Sequence, residues 1–439
     1  MSEEGHATIE KKSKQSPIGE IPEDWKVVKV SDIFEVYGGT TPSTKNANYW
    51  NGDIYWVTPT DITKSEGLYL KDTEKKITRK AVKETSLRIL PPGTLLLTSR
   101  ATIGHTIINS SPVTINQGIT AFIKKNNNTD SVYYAYFLKY RKEYLKQLGG
   151  GSTFREVSRS TLKNLLIPLP PLPEQRKIAE ILSTVDDAIQ KVSAAIARTE
   201  RLKKGLMQRL LTKGIGHKRF KFSKELGCEI PEEWEVVRLG EIVEIQSGKY
   251  FAYSEFCESG IKCFKIDNVG FGEILWKTIS FLPENYSDKY SELVLGVGDI
   301  VLALNRPTID GKLKIGRLSE ADVPSILYQR VGRFIFKSEK IYRHFMFYLL
   351  MGEYFKKELS RMLIGTDQPY IRTPVLLKIK IPLPPLSEQR KIAEILSTVD
   401  RKLELERKRK EKLERIKKGL MNDLLTGRRR VKVDKDGNL

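Results

Sequence analysis

The segment PLPPLPEQRKIAEILSTVD, from Pro168 to Asp186, returns as PLPPLSEQRKIAEILSTVD, from Pro382 to Asp400, 214 positions later. Only Pro173 against Ser387 differs. Two such copies in one chain must answer the same structural demand twice. The repetition extends further. KKGLMQRLLT (Lys203–Thr212) is matched by KKGLMNDLLT (Lys417–Thr426) at the same offset, and IPEDWKVVKVSDIFEVYGG (Ile21–Gly39) by IPEEWEVVRLGEIVEIQSG (Ile230–Gly248) at 209. Between these anchors the halves align poorly: PPGTLLLTSR (Pro91–Arg100) resembles GVGDIVLALNR (Gly296–Arg306), and INQGITAFI (Ile115–Ile123) resembles LYQRVGRFI (Leu327–Ile335). A period near 210 is far too long for a solenoid. The chain reads as a tandem duplication in which a variable head is followed, twice, by a constant segment.

The constant segments carry a helical pattern. Pro173 or Ser387 stands at the start, with Glu174 or Glu388 in the first turn, where a carboxylate suits the helix dipole. Apolar residues then recur at four-three spacing: Ile178, Leu182, Val185, Ile189, Val192 and Ile196, and later Leu206 and Leu210. The second copy gives Ile392, Leu396, Val399 and Leu403, a charged stretch ERKRKEK, then Leu413, Ile416, Leu420 and Leu424. This is a coiled-coil seam sustained over several heptads. Each helix is predicted to span about 38 residues, roughly 57 Å at 1.5 Å per residue. If the seams bury each other, the economical arrangement is antiparallel, and the single chain imitates a two-fold dimer. The plainer alternative is two amphipathic helices, each packed on its own head.

The heads read as mixed α/β domains. Strand-like patterns occur at Trp25–Val30, Asp53–Thr58 and Thr94–Thr98, and helical periodicity at Asp130–Leu148 and Ile341–Met362. Polar loops rich in Gly, Thr, Ser and Asn separate them, and these loops differ between the copies while the joints do not. Their side chains are of the types that bond base edges and phosphates. In the first head the candidates are Thr40, Thr41, Lys45, Thr58, Asp61, Ser99, Arg100, Thr102, Asn116, Gln117 and Arg155. In the second they are Lys249, Tyr250, Asp267, Asn268, Asn305, Arg306, Gln329, Arg330, Arg333, Gln368, Tyr370 and Arg372. Polar loops are also ordinary solvated turns, so the type of residue alone does not decide.

Charge narrows the partners. The 439 residues carry a formal +21, with a pI near 9.6, which favours a polyanion, nucleic acid before an anionic membrane. The segment Arg201–Lys224 has nine basic residues and no acidic one, reading either as a solvated face or as a backbone-attracting linker. No run of about 18 apolar residues occurs, and the first residues lack an apolar signal region. Three cysteines (Cys228, Cys257, Cys263) show no metal spacing, so reduced thiols and a cytoplasmic location are expected.

With its paired LPPLPEQRKIAEILSTVD and LPPLSEQRKIAEILSTVD segments, paired KKGLM words and IPEDW and IPEEW openings, the chain resembles the DNA-specificity subunits of type I restriction–modification enzymes. The resemblance covers nearly the whole length. It implies an α+β architecture of two target recognition domains separated by two long antiparallel coiled-coil helices with a pseudo-two-fold internal repeat. The expected divisions are a flexible tail 1–16, a first recognition domain 17–166, a central conserved helix region 167–214, a second recognition domain 215–380, a C-terminal conserved helix region 381–427 and a flexible basic tail 428–439. Each recognition domain is implied to read half of a bipartite, asymmetric sequence in double-stranded DNA, with the helices setting the gap. The implied partners are two adenine methyltransferase subunits, docked mainly on the constant helices, and two motor-endonuclease subunits. S-adenosylmethionine would then belong to the methyltransferases, and ATP and Mg2+ to the motor subunits. No cofactor or metal is expected in this chain.

The residues themselves argue against catalysis. No Asn-Pro-Pro-aromatic or Asp-Pro-Pro-aromatic box exists for a flipped adenine, and no G-x-x-x-x-G-K-[ST] phosphate loop. The four histidines, His6, His105, His217 and His344, are scattered, which disfavours a His-based metal site. A non-catalytic DNA-reading subunit is the leading expectation. A coiled-coil adaptor whose heads bind proteins is the alternative.

Overall fold

The repeated words turn out to be the joints between heads and helices. The computed structural model describes residues 13–65, 67–150 and 155–432. Two helices dominate the chain, Leu172–Lys213 of 42 residues and Leu386–Leu425 of 40, slightly longer than the pattern predicted. The chain divides into two units, one comprising the residues up to Ala195 with those from Glu406 onward, the other Ile196–Leu405. Each unit therefore holds one head, the start of the helix that follows it, and the end of the other helix.

Within each unit the two helix segments run antiparallel. In the first, Ile178 and Leu182 of one helix share a core with Met421, Leu424 and Leu425 of the other. In the second, Ile392 and Leu396 share a core with Leu210 and Leu211. The seam is buried at Ile178, Leu182, Val192, Leu210, Ile392, Leu396, Leu403 and Leu424. It is half-buried at Val185, Ile189, Ile196, Leu206, Val399, Leu413 and Leu420, whereas Ile416 is exposed. Polar cross-links reinforce the seam reciprocally. Lys203 Nζ lies 2.6 Å from Asp400 in the second unit, and Lys417 pairs with Asp186 in the first. These are the lysine of the KKGLM words and the aspartate of the STVD words. Each aspartate also accepts from a head tyrosine, Tyr136 to Asp186 at 2.8 Å and Tyr348 to Asp400 at 2.9 Å. Burial, with the carboxylate adding to it, pushes both phenols well above their ordinary pKa, so they remain donors.

The helix starts are tied to the heads by buried polar groups. Glu174 and Glu388 stand in the first turns, as expected, and each also accepts from an indole, Trp25 Nε1 at 2.8 Å and Trp234 Nε1 at 2.9 Å. The neighbouring Gln175 and Gln389 are fully buried. Gln175 accepts from the Asp130 N–H and donates to the Pro170 and Asn128 carbonyls; Gln389 accepts from the Tyr342 N–H and donates to Pro384 and Lys340. The repeated IPEDW, IPEEW and EQRKIAEIL words thus hold the two sides of one contact.

Each head is organised around an antiparallel sheet. In the first, strands lie in the order Phe34–Gly38, Ile119–Lys124, Leu95–Thr98, Thr106–Asn109, with the short Tyr69–Leu70 added in parallel. In the second the order is Val243–Ser247, Val331–Phe336, Ile300–Ala303, Ile315–Arg317. Registers agree: Thr120 lies opposite both Gly38 and Leu97, and Gly332 opposite both Ser247 and Leu302. A second sheet completes each head, built on Trp50–Val57 in the first and Ile261–Phe264 in the second. The predicted head helices are present, each broken once: Ser131–Tyr140 then Lys142–Leu148, and Arg343–Met351 then Glu353–Arg361.

Several expected boundaries move. Ser13–Ser16, assigned to the tail, form a strand paired with Gly19–Pro22. Strands Leu166–Leu169 and Lys380–Leu383, assigned largely to the helix regions, pair with Lys26–Lys29 and Glu235–Arg238 and so belong to the heads. Arg201–Lys224 is no free linker, since it is helical to Lys213 and returns as strand Phe220–Ser223. Arg430, assigned to the basic tail, bonds Glu174 and Asp24 at 2.7–2.8 Å. Of the tail assignments, residues 1–12 and 433–439 lie outside the described residues.

If the glutamine is a structural joint, Gln389→Ala should cost about 2–4 kcal/mol in denaturant unfolding, because it strands a buried N–H and two carbonyls. A change under about 0.5 kcal/mol would show that the joint does not depend on it.

Candidate nucleic-acid interface

The candidate residues sort themselves at one end of each central sheet. In the first head, the strand ending at Gly38 turns across the Ile115–Ile119 turn: Gly39 N–H donates to Ile119 and Thr40 N–H to Ile115. Asn116 fixes this corner, its Nδ2 donating to Thr41 Oγ1 at 2.9 Å and its Oδ1 accepting from Gly118 N–H at 2.7 Å. The Thr41 and Gln117 side chains bond each other. The loop after Leu95–Thr98 joins through Ser99 N–H to Gly118. Residues 155–157 then close the cluster, with Ala101 N–H donating to Arg155 and Val157 N–H to Ser99. Thr40, Thr41, Ser99, Arg100, Thr102, Asn116, Gln117 and Arg155 are thereby gathered into one group of loops, with Arg100 beside Glu156 at 3.9 Å.

The second head repeats this wiring with other residues. Gly248 N–H donates to Val331, Lys249 N–H to Leu327, Leu304 N–H to Arg330, Arg306 N–H to Pro369 and Ile371 N–H to Leu304. Lys249, Tyr250, Asn305, Arg306, Gln329, Arg330, Gln368, Tyr370 and Arg372 lie on these loops. The equivalences correct one detail of the sequence comparison. The Ile115–Ile123 and Leu327–Ile335 segments correspond as aligned, but Arg100 is matched by Asn305, and Arg306 by Ala101.

Some candidates are committed to the fold. Asn268 is buried, its Oδ1 accepting from Lys265 N–H and its Nδ2 donating to Leu275. Arg333 is paired with the buried Asp299 at 2.8 Å and donates to the Val294 carbonyl. Thr58 and Asp61 cap the helix Pro59–Lys64, Asp61 also accepting from Glu74 N–H. Ser99 is buried and accepts from Thr120 Oγ1. Lys45 is exposed farther along the Thr41 loop, and Asp267 is exposed on a short turn next to Asn268.

The structure also adds residues. Arg159 lies across Gly38, with its Cδ 2.6 Å from where a Cβ would stand. Tyr253 is 93% exposed in the second head. It is flanked in sequence by Lys249, whose Nζ is 4.4 Å from the Tyr290 ring, and by Phe256, whose ring lies 4.1 Å from Lys265 Nζ. The aromatic run YFAYSEF was a visible signal for this group. Beside the first cluster, His105 Nε2 accepts from Lys142 Nζ at 2.9 Å. Burial first, then Lys142, Lys139 and Lys146, hold that imidazole below its ordinary pKa. Among the described residues no group of three or more His, Cys, Asp or Glu could hold a metal, and no helix is long and apolar enough to cross a membrane.

Close backbone approach makes a glycine obligatory at each corner. A Cβ on Gly39 would stand 2.0 Å from the Ile115 oxygen, and one on Gly248 2.1 Å from the Tyr328 oxygen. Gly248→Ala should therefore cost about 1–3 kcal/mol in unfolding. Gly205→Ala on a long helix, where nothing lies within 4 Å, should be neutral or stabilising by up to about 1 kcal/mol. Equal effects at the two positions would contradict the corner geometry.

Comparison with known proteins supplies the family. The type I restriction modification DNA specificity domain matches twice, over residues 22–198 and 231–415. The chain is 51% identical over 415 residues to the type I restriction enzyme MjaVIII specificity subunit of Methanocaldococcus jannaschii, covering 94% of each chain. It is 35% identical to the MjaIX specificity subunit of the same organism, covering 95% of this chain and 96% of that one. Among solved structures, the S subunit of a type I restriction–modification system from M. genitalium matches with a TM-score of 0.57 at 19% identity, covering 91% of this chain and 96% of that one. A chain from a study of complex assembly and conformational transition of the type I R-M system matches at 0.55 and 17% identity, covering 93% and 99%. Two matched domains, relatives matched over nearly their full length and the repeated head-and-helix construction agree: this chain belongs to the family of type I restriction–modification specificity subunits.

Proposed function

We propose that each head reads one half of a bipartite, asymmetric sequence in double-stranded DNA, and that the long helices set the distance between the halves. The observation that supports this most directly is the doubled loop cluster. Its backbone wiring is the same in both heads, while nearly every side chain on it differs. Two readers of one design with different side chains suit two different short sequences. The charge of +21 supplies sequence-independent attraction to phosphates.

The chain acts in this reading without catalysis of its own. Adenine methylation belongs to two partner methyltransferase subunits carrying S-adenosylmethionine, and cleavage to two motor-endonuclease subunits using ATP and Mg2+. The helices offer the methyltransferases apolar contacts that the seam leaves outside: Leu202 is 55% exposed, Leu405 67% and Ile416 42%. Such residues amid lysines and arginines are the ingredients of an interface core with a polar rim.

Two outcomes follow. DNA binding by the assembled complex should fall about a thousand-fold or more between 50 and 200 mM salt; a change under tenfold would favour heads that bind proteins. Four residues inserted into each helix, after Ala195 and after Leu405, add roughly 6 Å and turn the helices by only about 40°, leaving every head joint intact. Methylome sequencing should then show the same half-sites with a gap longer by about two base pairs of 3.4 Å rise. Full methylation at an unchanged gap would refute the spacer role.

A further inference from the structure

Among the described residues, five other than glycine adopt a left-handed backbone: Asn51, Ala101, Arg306, Asp310 and Arg330. Asn and Asp tolerate this region, but a long side chain does so at a cost in strain. Both arginines stand on the loop cluster of the second head, and their loops are joined by the Leu304 N–H to Arg330 bond. At Arg306 the fold explains the backbone but not the side chain. Ala101 takes the position of Arg306 in the first head with the same sign of φ, +59° against +45°. The place of Arg330, at φ +67°, is taken in the first head by Gly118, which is not left-handed, so the positive φ there belongs to the second head alone. A small residue therefore satisfies each loop, and in the second head an arginine stands there instead. Both are exposed, and among the described residues neither guanidinium has a hydrogen-bond or ion-pair partner. Backbone strain retained for an unpartnered side chain marks a functional group.

Resting on the reading of the heads above, we propose that Arg306 and Arg330 are the guanine-reading residues of the second head. Arginine presents two parallel N–H groups that match O6 and N7 of guanine in the major groove, the pairing that distinguishes G·C from the other base pairs. The first head, with Ala101 and Gly118 at these places, reads its half-site from other positions.

The test uses the full chain assembled with its methyltransferase subunits. Methylome sequencing of the wild-type complex first defines the motif; a motif that is not bipartite counts against the function proposed above, and this assignment falls with it. Arg306→Gly and Arg330→Gly are then compared with wild type in equilibrium binding. The duplexes carry the motif or single replacements of each base pair in both half-sites. Each variant should bind the motif on the order of 10–100-fold more weakly and lose discrimination at one G·C pair of the second half-site only. Because glycine relieves the strain, each should also melt roughly 2–4 °C higher. Undiminished discrimination in both variants would overturn the assignment. Uniform weakening across all duplexes, the mark of a phosphate contact, would do the same, as would a fall in melting temperature.

Discussion

A carboxylate buried at the first turn of each long helix holds the head in place, and most of the architecture follows from it. Glu174 is 2% exposed and Glu388 9%, and an ionised group so placed costs several kcal/mol unless donors surround it. Each has them. Glu174 accepts from the Trp25 indole and from Arg430; Glu388 accepts from the Trp234 indole, the Ile215 N–H and His217. Removing one partner would leave an uncompensated buried charge, so the tryptophan of the head, the glutamate of the helix and the segment behind them are required together. That requirement explains why IPEDW and EQRKIAEIL recur as a set. It also makes Gly427–Arg430 and Gly214–His217 play one part, each closing over the tryptophan from the end of the helix that arrives from the other half of the sequence.

The second constraint is reciprocity. Asp186 needs the lysine of the later KKGLM word, and Asp400 needs that of the earlier one. A change in one copy is therefore felt at the other, through a half-buried ion pair whose tyrosine donor comes from the head. The heads contribute only a few fixed groups to this frame: the tryptophan, the tyrosine, and the backbone N–H and carbonyls read by the glutamine. Apart from the corner glycines Gly39 and Gly248, the remainder of each head, including the loops at the far end of its central sheet from Phe34 and Val243, is free to differ.

Much of this was legible in the letters. Four-three spacing from Ile178 to Ile196 gave the helix and its seam, and the single offset of 214 gave the internal repeat. The head helices announced themselves by periodicity. What stayed hidden depends on contacts across the chain. Nothing local tells that Glu174 faces Trp25, that Gln175 is buried, or that Asn268 and Arg333 serve the fold. Ile416 fits the heptad yet is exposed, because local spacing does not report what packs opposite. The equivalence of Arg100 with Asn305 rather than Arg306 needed strand register, since a one-letter difference in loop length defeats alignment by eye. The candidate loops themselves were recognisable by composition, but their convergence on a single corner of each sheet was not.

The central claim is that constant joints make the heads independent and exchangeable. The most direct measurement is a graft of residues 21–166 from a specificity subunit with a different known target, in the complete complex, read by methylome sequencing. The account predicts a hybrid motif in which one half-site is replaced and the other, with the gap, is unchanged. A graft that alters both half-sites together would show that the heads read as one body and would contradict it.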